Sequence, residues 1–504
     1  MSAEAGNLLA VLQREPDSLP VRLALARACR AAGDLLTATA WLSDAMRIAP
    51  QALEPVQELA DLLLTQQRYV QAVPLYTRLL DEFGVRSAAN LLHAGFCREH
   101  SGDVAAAAAL YRATLEVEPA LVEAHVDLSG VLWRLEDFDG ALAHARRAVE
   151  LAPAHPYAQR ILGTALLHLE RLDEAEQHLR RALELQPGFH LAELDLAFTL
   201  LLAGRLEEGW PFYERRWRDP ARLPRPAFWQ PGSEWPGPAQ PLQGQAIGVY
   251  AEQGLGDVLQ FVRYLPQLQA LGAQVRCVVQ PELVPLVEAS FPGVECLKPG
   301  VSFNVHLHAA LLELPGRFGT TLSSIPSAVP YLRAPEEARV RWRERLAPWA
   351  GQRKVGLAWS GSQVQVNNRN RAVPLSLLAP LLGQPGVQCF SLQKGEAGAN
   401  TDLQPAPGEL PDFTGDWADF ADSAAMIEQL DLVVTVDTAI AHLVGALGKP
   451  VWILLPPNAD WRWLVDRADS PWYPTARLFR RAAGEDRSAQ IARLMRAFEA
   501  WLSS

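Results

Sequence analysis

Prolines at positions 16, 50, 119, 153 and 187, with Gly84 in the one gap, mark off the first 220 residues in steps of 34, one of them 35. Small residues keep a second phase at Ala26, Ala60, Gly95, Ser129, Gly163 and Ala197, and turn residues follow about seven positions later in "AAGDLLTA", "HSGDVAAA" and "LAGRLEEG". This period constrains the fold more than any other feature. It predicts a helix-turn-helix unit in which small residues allow two antiparallel helices to approach and a proline closes the unit. One such pair cannot bury its apolar face alone, so the units must stack.

A unit of this length and phase resembles the tetratricopeptide repeat. The resemblance implies an α-superhelix over residues 1–218 whose concave side docks a protein or peptide; homo-oligomerisation is the other use open to it. His125, His144, His155, His168, His178 and His190 share no metal-ligand spacing and read as packed or solvated side chains. The array gives way to a stretch with four tryptophans and eight prolines over 209–244. Proline blocks regular helix and tryptophan favours burial, so an ordered connector is expected over 219–245.

The net charge of −11 leaves no basic excess, which argues against a nucleic-acid partner. Cys29, Cys97, Cys277, Cys296 and Cys389 are odd in number and far apart, which suits neither a disulfide framework nor a zinc site. The N-terminus lacks a basic-then-apolar leader, and no run approaches 18 apolar residues, so a cytoplasmic chain without a membrane span is expected.

From Ala246 the pattern becomes short β-branched runs separated by helical stretches, the mark of parallel sheets covered by helices on both faces. One series occupies 246–335, a charged helical bridge follows, and a second series occupies 353–485; 486–504 reads as a closing helix. The class is therefore α plus α/β. Two Rossmann-like halves in tandem would place a cleft between the carboxyl ends of their sheets.

Three stretches could carry chemistry at those ends. In "VYAEQGLGDVLQFVRYLP" a strand breaks at Gly254 and Gly256 and restarts as a helix beside Asp257, which serves either as a helix cap or as a cleft-facing base. In "TVDTAIAHLVGALGKP" a buried strand leads into a helix start at Asp437, Thr438 and Ala439. His442 lies one turn on, and the free N–H groups suit a diphosphate. Asp437 could equally be a cap and His442 a packed side chain. In "LAWSGSQVQVNNRNRAVPLSLLAPLL" the strand ends at Ser360, Gly361 and Ser362, and Arg369 and Arg371 follow; Lys394 in "FSLQKG" adds another cation. Loop arginines are as often simply solvated. The single D-x-D, "DFD" at 137–139, reads as a turn and helix start, so a metal-held diphosphate is not favoured, and no metal or cofactor is expected. Phosphate-loop, dinucleotide and serine-hydrolase motifs do not occur.

Together with "DWRWL" and "DSPWYPTARLFR", these stretches look like the bacterial tetratricopeptide-repeat glycosyltransferases, whose catalytic part is similar to the ADP-heptose:lipopolysaccharide heptosyltransferases (glycosyltransferase family 9-like). The resemblance implies a GT-B fold of two Rossmann-like domains and a metal-independent, inverting transfer from a nucleotide sugar. It places Asp257 as general base, and Asp437, Thr438 and His442 in the donor-binding D-T-x-x-x-H motif, with Ser360 on a phosphate-contacting hydroxyl. Two departures stand out: Ala439 replaces the usual glycine, and the family's phosphate-binding lysine has no match unless Arg369 or Arg371 substitutes. The expected acceptor is a Ser or Thr hydroxyl of a protein such as flagellin. The alternatives are a lipopolysaccharide or other glycan acceptor, and a non-catalytic repeat scaffold with a decayed transferase part.

Overall fold

The computed structural model describes residues 3–218, 225–226, 229–300, 305–361, 368–395, 402–406, 408–482 and 484–503, without the side chains of 3–5 and 369. It divides into two compact units, one of Met1–Leu167 with Asp173–Phe189, the other of His168–Leu172 with His190–Ser504.

The first unit is helical. Its pairs include α2 (Leu19–Ala31) with α3 (Leu35–Ile48), α4 (Leu53–Thr65) with α5 (Tyr69–Asp81), α6 (Ala88–His100) with α7 (Val104–Val117) and α8 (Val122–Arg134) with α9 (Phe138–Leu151). Pro50, Pro119 and Pro153 each fall two residues beyond a helix end, where a missing N–H is harmless. Ala26, Ala60 and Ser129 are buried at the crossings. Asp34, Asp103 and Asp137 each cap the second helix of a pair, accepting from the N–H groups of Thr37, Ala106 and Gly140. A side-chain oxygen satisfies a free amide there, so the turn signals in the sequence have a direct physical role.

The second unit holds two parallel sheets. The first is ordered β3-β2-β1-β4, from β1 (Ala246–Tyr250), β2 (Gln274–Val278), β3 (Glu295–Leu297) and β4 (Leu307–Ala310). The second is ordered β6-β5-β7-β8-β9, from β5 (Arg353–Ala358), β6 (Val387–Ser391), β7 (Leu432–Val436), β8 (Val451–Leu455) and β9 (Ala476–Arg480). Every residue of β1, β7 and β8 is buried, as strands covered on both faces require. The closing helix, Arg487–Leu502, packs on the second sheet, where Leu494 and Phe498 join Val434, Trp452 and Leu454 in one core.

The helices from His190 onward belong to this unit because of aromatic packing. Trp210 and Tyr213 lie edge-on to Trp461, and Trp210 donates its indole N–H to the Thr320 carbonyl at 2.8 Å. In the connector, Ser233–Trp235 runs alongside β4: Trp235 N–H donates to the His308 carbonyl and His308 N–H to the Ser233 carbonyl, each at 2.8 Å. The Trp235 ring is fully buried.

Candidate functional site

In both sheets the strand order reverses beside the first strand, between β1 and β4 and between β5 and β7. Ligands of open parallel sheets gather outside the carboxyl ends at such points. The segments leaving β1, β5 and β7 carry Gly254–Asp257, Ser360–Gly361 and Asp437–His442.

Asp257 is the third residue of the helix Leu255–Phe261, with Gly254 at the N-cap position. Its carboxylate reaches back, Oδ2 accepting from the Gly254 N–H at 2.9 Å, so it does stabilise the helix start. Oδ1 accepts from Nη2 of Arg462 at 2.5 Å. Arg462 is itself buried: Nε donates to Gln260 Oε1 at 2.7 Å and Nη1 to Asp460 Oδ1 at 2.8 Å, with the guanidinium over the Trp461 ring. Burial pushes the Asp257 carboxyl above the usual carboxylate range, and the Arg462 charge opposes that rise.

The Asp257 helix meets the helix Ala439–Ala446 through Gly256. A β-carbon there would lie 2.8 Å from His442 Cδ2 and 3.5 Å from Ala439 Cα, so the approach needs a bare backbone. Gly256→Ala is expected to cost about 1–3 kcal/mol as the two helices are forced apart. Urea unfolding measures this, and a change below about 0.5 kcal/mol would contradict the contact.

Thr438 occupies the N-cap position of the second helix and Ala439 its first turn. His442 is buried, shares a 2.9 Å hydrogen bond between Nδ1 and the Tyr473 hydroxyl, and stacks on Trp463 with centroids 5.4 Å apart. Burial, with Arg462, Arg263 and Arg371 nearby, holds its pKa well below the ordinary histidine value, so the ring is neutral. Burial together with the Asp460 charge pushes Asp437 up to about 6, against the pull of Arg371.

The end of β5 is organised by two residues that no motif singled out. Gln393 Oε1 accepts from the N–H groups of Trp359 and Ser360 at 3.0 and 2.8 Å. Asn368 Oδ1 accepts from Gly361 N–H at 2.8 Å, while its Nδ2 donates to Ser360 Oγ at 3.2 Å. The Arg371 guanidinium lies against Gly361, where a side chain would collide with it. The structure thus brings Arg371 toward Asp437 and His442. Lys394 is turned instead to the Trp417 carbonyl, which accepts from Nζ at 2.8 Å. The Arg369 side chain and Ser362 lie outside the described residues. Among the described residues no group of three or more His, Cys, Asp or Glu side chains is placed to hold a metal ion.

A second ion pair sits where β1 ends. Glu252 accepts from Arg216 Nη2 at 2.7 Å, both side chains buried, and Gln253 Nε2 donates to the Tyr213 hydroxyl at 3.0 Å. Burial pushes Glu252 up to about 7 despite the Arg216 charge. The folded protein therefore holds a proton there that the unfolded chain releases near its lower, ordinary value. That stability is fully present below about pH 4.5 and is lost as pH rises through about 7. Glu252→Gln is expected to flatten the fall in urea-derived stability between about pH 5 and 8 by about 3 kcal/mol relative to the unaltered protein. Parallel curves for the two proteins would refute the assignment.

Among the described residues, no helix is long and apolar enough to cross a membrane. One curated relative, Protein FlbA of Caulobacter vibrioides, is 31% identical over 298 residues, 54% of this chain and 49% of the relative, so the chain spans about half the length of that protein. Two solved structures are similar to parts of the chain. YrrB, described as a TPR protein with an unusual peptide-binding site, is 18% identical, with 37% of this chain and 96% of YrrB covered, at a TM-score of 0.33. A thermophilic TPR protein of Thermus thermophilus is 22% identical, with 36% of this chain and all of that one covered, at a TM-score of 0.29. The tetratricopeptide repeat family model matches residues 58–121 and 126–188, and the helical array is accordingly built of tetratricopeptide repeats.

Proposed function

We propose that the chain is an inverting glycosyltransferase of GT-B architecture, acting in the cytoplasm, that moves a sugar from a nucleotide sugar to a hydroxyl of a protein docked on its repeats. The observation that carries this reading is the direct contact of the Gly254–Asp257 turn with the Ala439–His442 helix start, each at the carboxyl end of a parallel sheet. A base and a diphosphate-binding helix start then face one reacting centre.

In the proposed step the acceptor oxygen attacks the anomeric carbon, and the bond from that carbon to the diphosphate oxygen breaks. The hydroxyl proton passes to Asp257, and the nucleoside diphosphate leaves with the bonding electron pair. The helix N–H groups at Thr438–Ala439 and the Arg371 guanidinium offset the charge growing on the diphosphate. The single acceptor attack inverts the anomeric configuration. The repeats hold the acceptor chain, with a Ser or Thr of a flagellin-like protein as the working substrate.

The test is a panel of radiolabelled nucleotide sugars incubated with the protein and a bacterial lysate, with and without a chelator. One donor should label a protein band in the chelator arm as well. Label confined to glycan would shift the reading to a glycan acceptor, and no binding of any nucleotide sugar would leave a repeat scaffold.

A further inference from the structure

Asp257 as it stands is a weakened base. Each oxygen already accepts one hydrogen bond, Oδ2 from the Gly254 N–H and Oδ1 from Arg462, and the guanidinium charge lowers the carboxylate's affinity for an acceptor proton. The paired cation comes from the other sheet's half of the unit, on the short turn Trp461–Trp463 that follows β8. It also lies close to the expected diphosphate: the neighbouring Trp463 stacks on His442, and the Arg462 charge acts on both Asp437 and His442.

We propose that Arg462 changes partner during the reaction cycle, pairing with Asp257 when the donor site is empty and with the diphosphate of a bound nucleotide sugar. The inference rests on the glycosyltransferase reading and names a residue that reading did not use. A diphosphate carries more charge than one carboxylate and presents oxygens that a guanidinium fork matches, so it competes for Arg462. Asp460 and Gln260 stay on the remaining nitrogens and keep the side chain in place. Departure of Nη2 leaves Asp257 Oδ1 open to an acceptor hydroxyl. The base is thereby strengthened when a donor is present, and the same cation then stabilises the leaving group.

The groups facing Asp257 are Arg462 and Asp460 from the Trp461 turn, Glu252 from its own loop and Tyr213 from the last repeat helix. Of these, the exchange moves only Arg462. Loss of that cation raises the affinity of Asp257 for a proton, so donor binding takes up protons.

The experiment is calorimetric titration of the full chain with UDP, GDP, ADP, CDP and dTDP, using the tightest of them for a double-mutant cycle. Asp257→Asn should tighten binding about tenfold, because Arg462 no longer has to leave a carboxylate, and Arg462→Gln should weaken it about thirtyfold. In the Arg462→Gln background, Asp257→Asn should change affinity by less than about twofold. Equal tightening in both backgrounds would show simple charge repulsion and overturn the exchange while leaving the transferase reading intact. If none of the five binds the unaltered protein at millimolar concentration, both fall together. Should Arg462→Gln fail to fold, the unaltered protein still decides. In buffers of different ionisation enthalpy, its binding should take up more protons than that of Asp257→Asn, and equal uptake would overturn the exchange.

Discussion

Asp257→Asn is expected to lower sugar transfer by about 10²–10⁴-fold at saturating donor, the range that a positioned base contributes. Asparagine keeps the shape and an oxygen for one of the two donors now held by Asp257, Gly254 N–H or Arg462 Nη2. The structural cost is then about one hydrogen bond, 1–3 kcal/mol. A loss of rate with retained circular dichroism and nucleoside-diphosphate binding separates a base from a mere helix-start residue. Activity within about threefold of the unaltered protein would remove Asp257 from the chemistry. The pH profile gives the sign independently. Burial holds the Asp257 carboxyl above its ordinary value, so transfer by the unaltered protein should fall as pH drops through that raised value. The residual rate of the asparagine variant should not follow.

Arg462→Met should be the most destabilising of the substitutions considered, at about 3–5 kcal/mol. Methionine fills much of the volume between Phe261 and Trp461, so packing is not the main loss. The loss is electrostatic: Asp257 and Asp460 would face each other without the cation that now joins them, and Gln260 Oε1 would lose its donor. In the variant burial acts on Asp257 without the opposing cation and raises its folded-state value further, so the deficit should shrink as pH falls and that carboxyl protonates. Adding Asp257→Asn should recover at least about 1 kcal/mol of the loss in urea unfolding, since one of the two stranded charges is gone. Strictly additive losses would mean that the pair does not couple the two segments.

How legible each part was depended on how local its cause is. The repeat phase at Ala26, Ala60 and Ser129 needed only the spacing of neighbouring helices, and Asp34, Asp103 and Asp137 cap the helices they immediately precede. The strands before Asp257 and Asp437 were legible because a strand buried on both faces is almost wholly apolar, and the one before Ser360 because its buried part, Val355–Ala358, is apolar too. β9 was less so: its exposed Arg477 and partly exposed Arg480 interrupt the run that burial demands elsewhere. Lys394 shows the limit of reading a cation as a phosphate ligand, because its partner is a carbonyl 23 residues away.

Period, polarity and turn chemistry are short-range properties, so the sequence by itself determined the helical repeats, the alternation of strand and helix, and the glycine turns that carry Asp257 and His442. Only the tertiary structure decided which of those turns touch. The Gly256–His442 contact, the Arg462–Asp257 pair across 205 residues and the Arg216–Glu252 pair at the end of β1 join segments whose own surroundings show nothing unusual. For the two ion pairs the reason is burial: a charge removed from water must find an opposite charge in space, and chain distance places no restriction on where that partner lies.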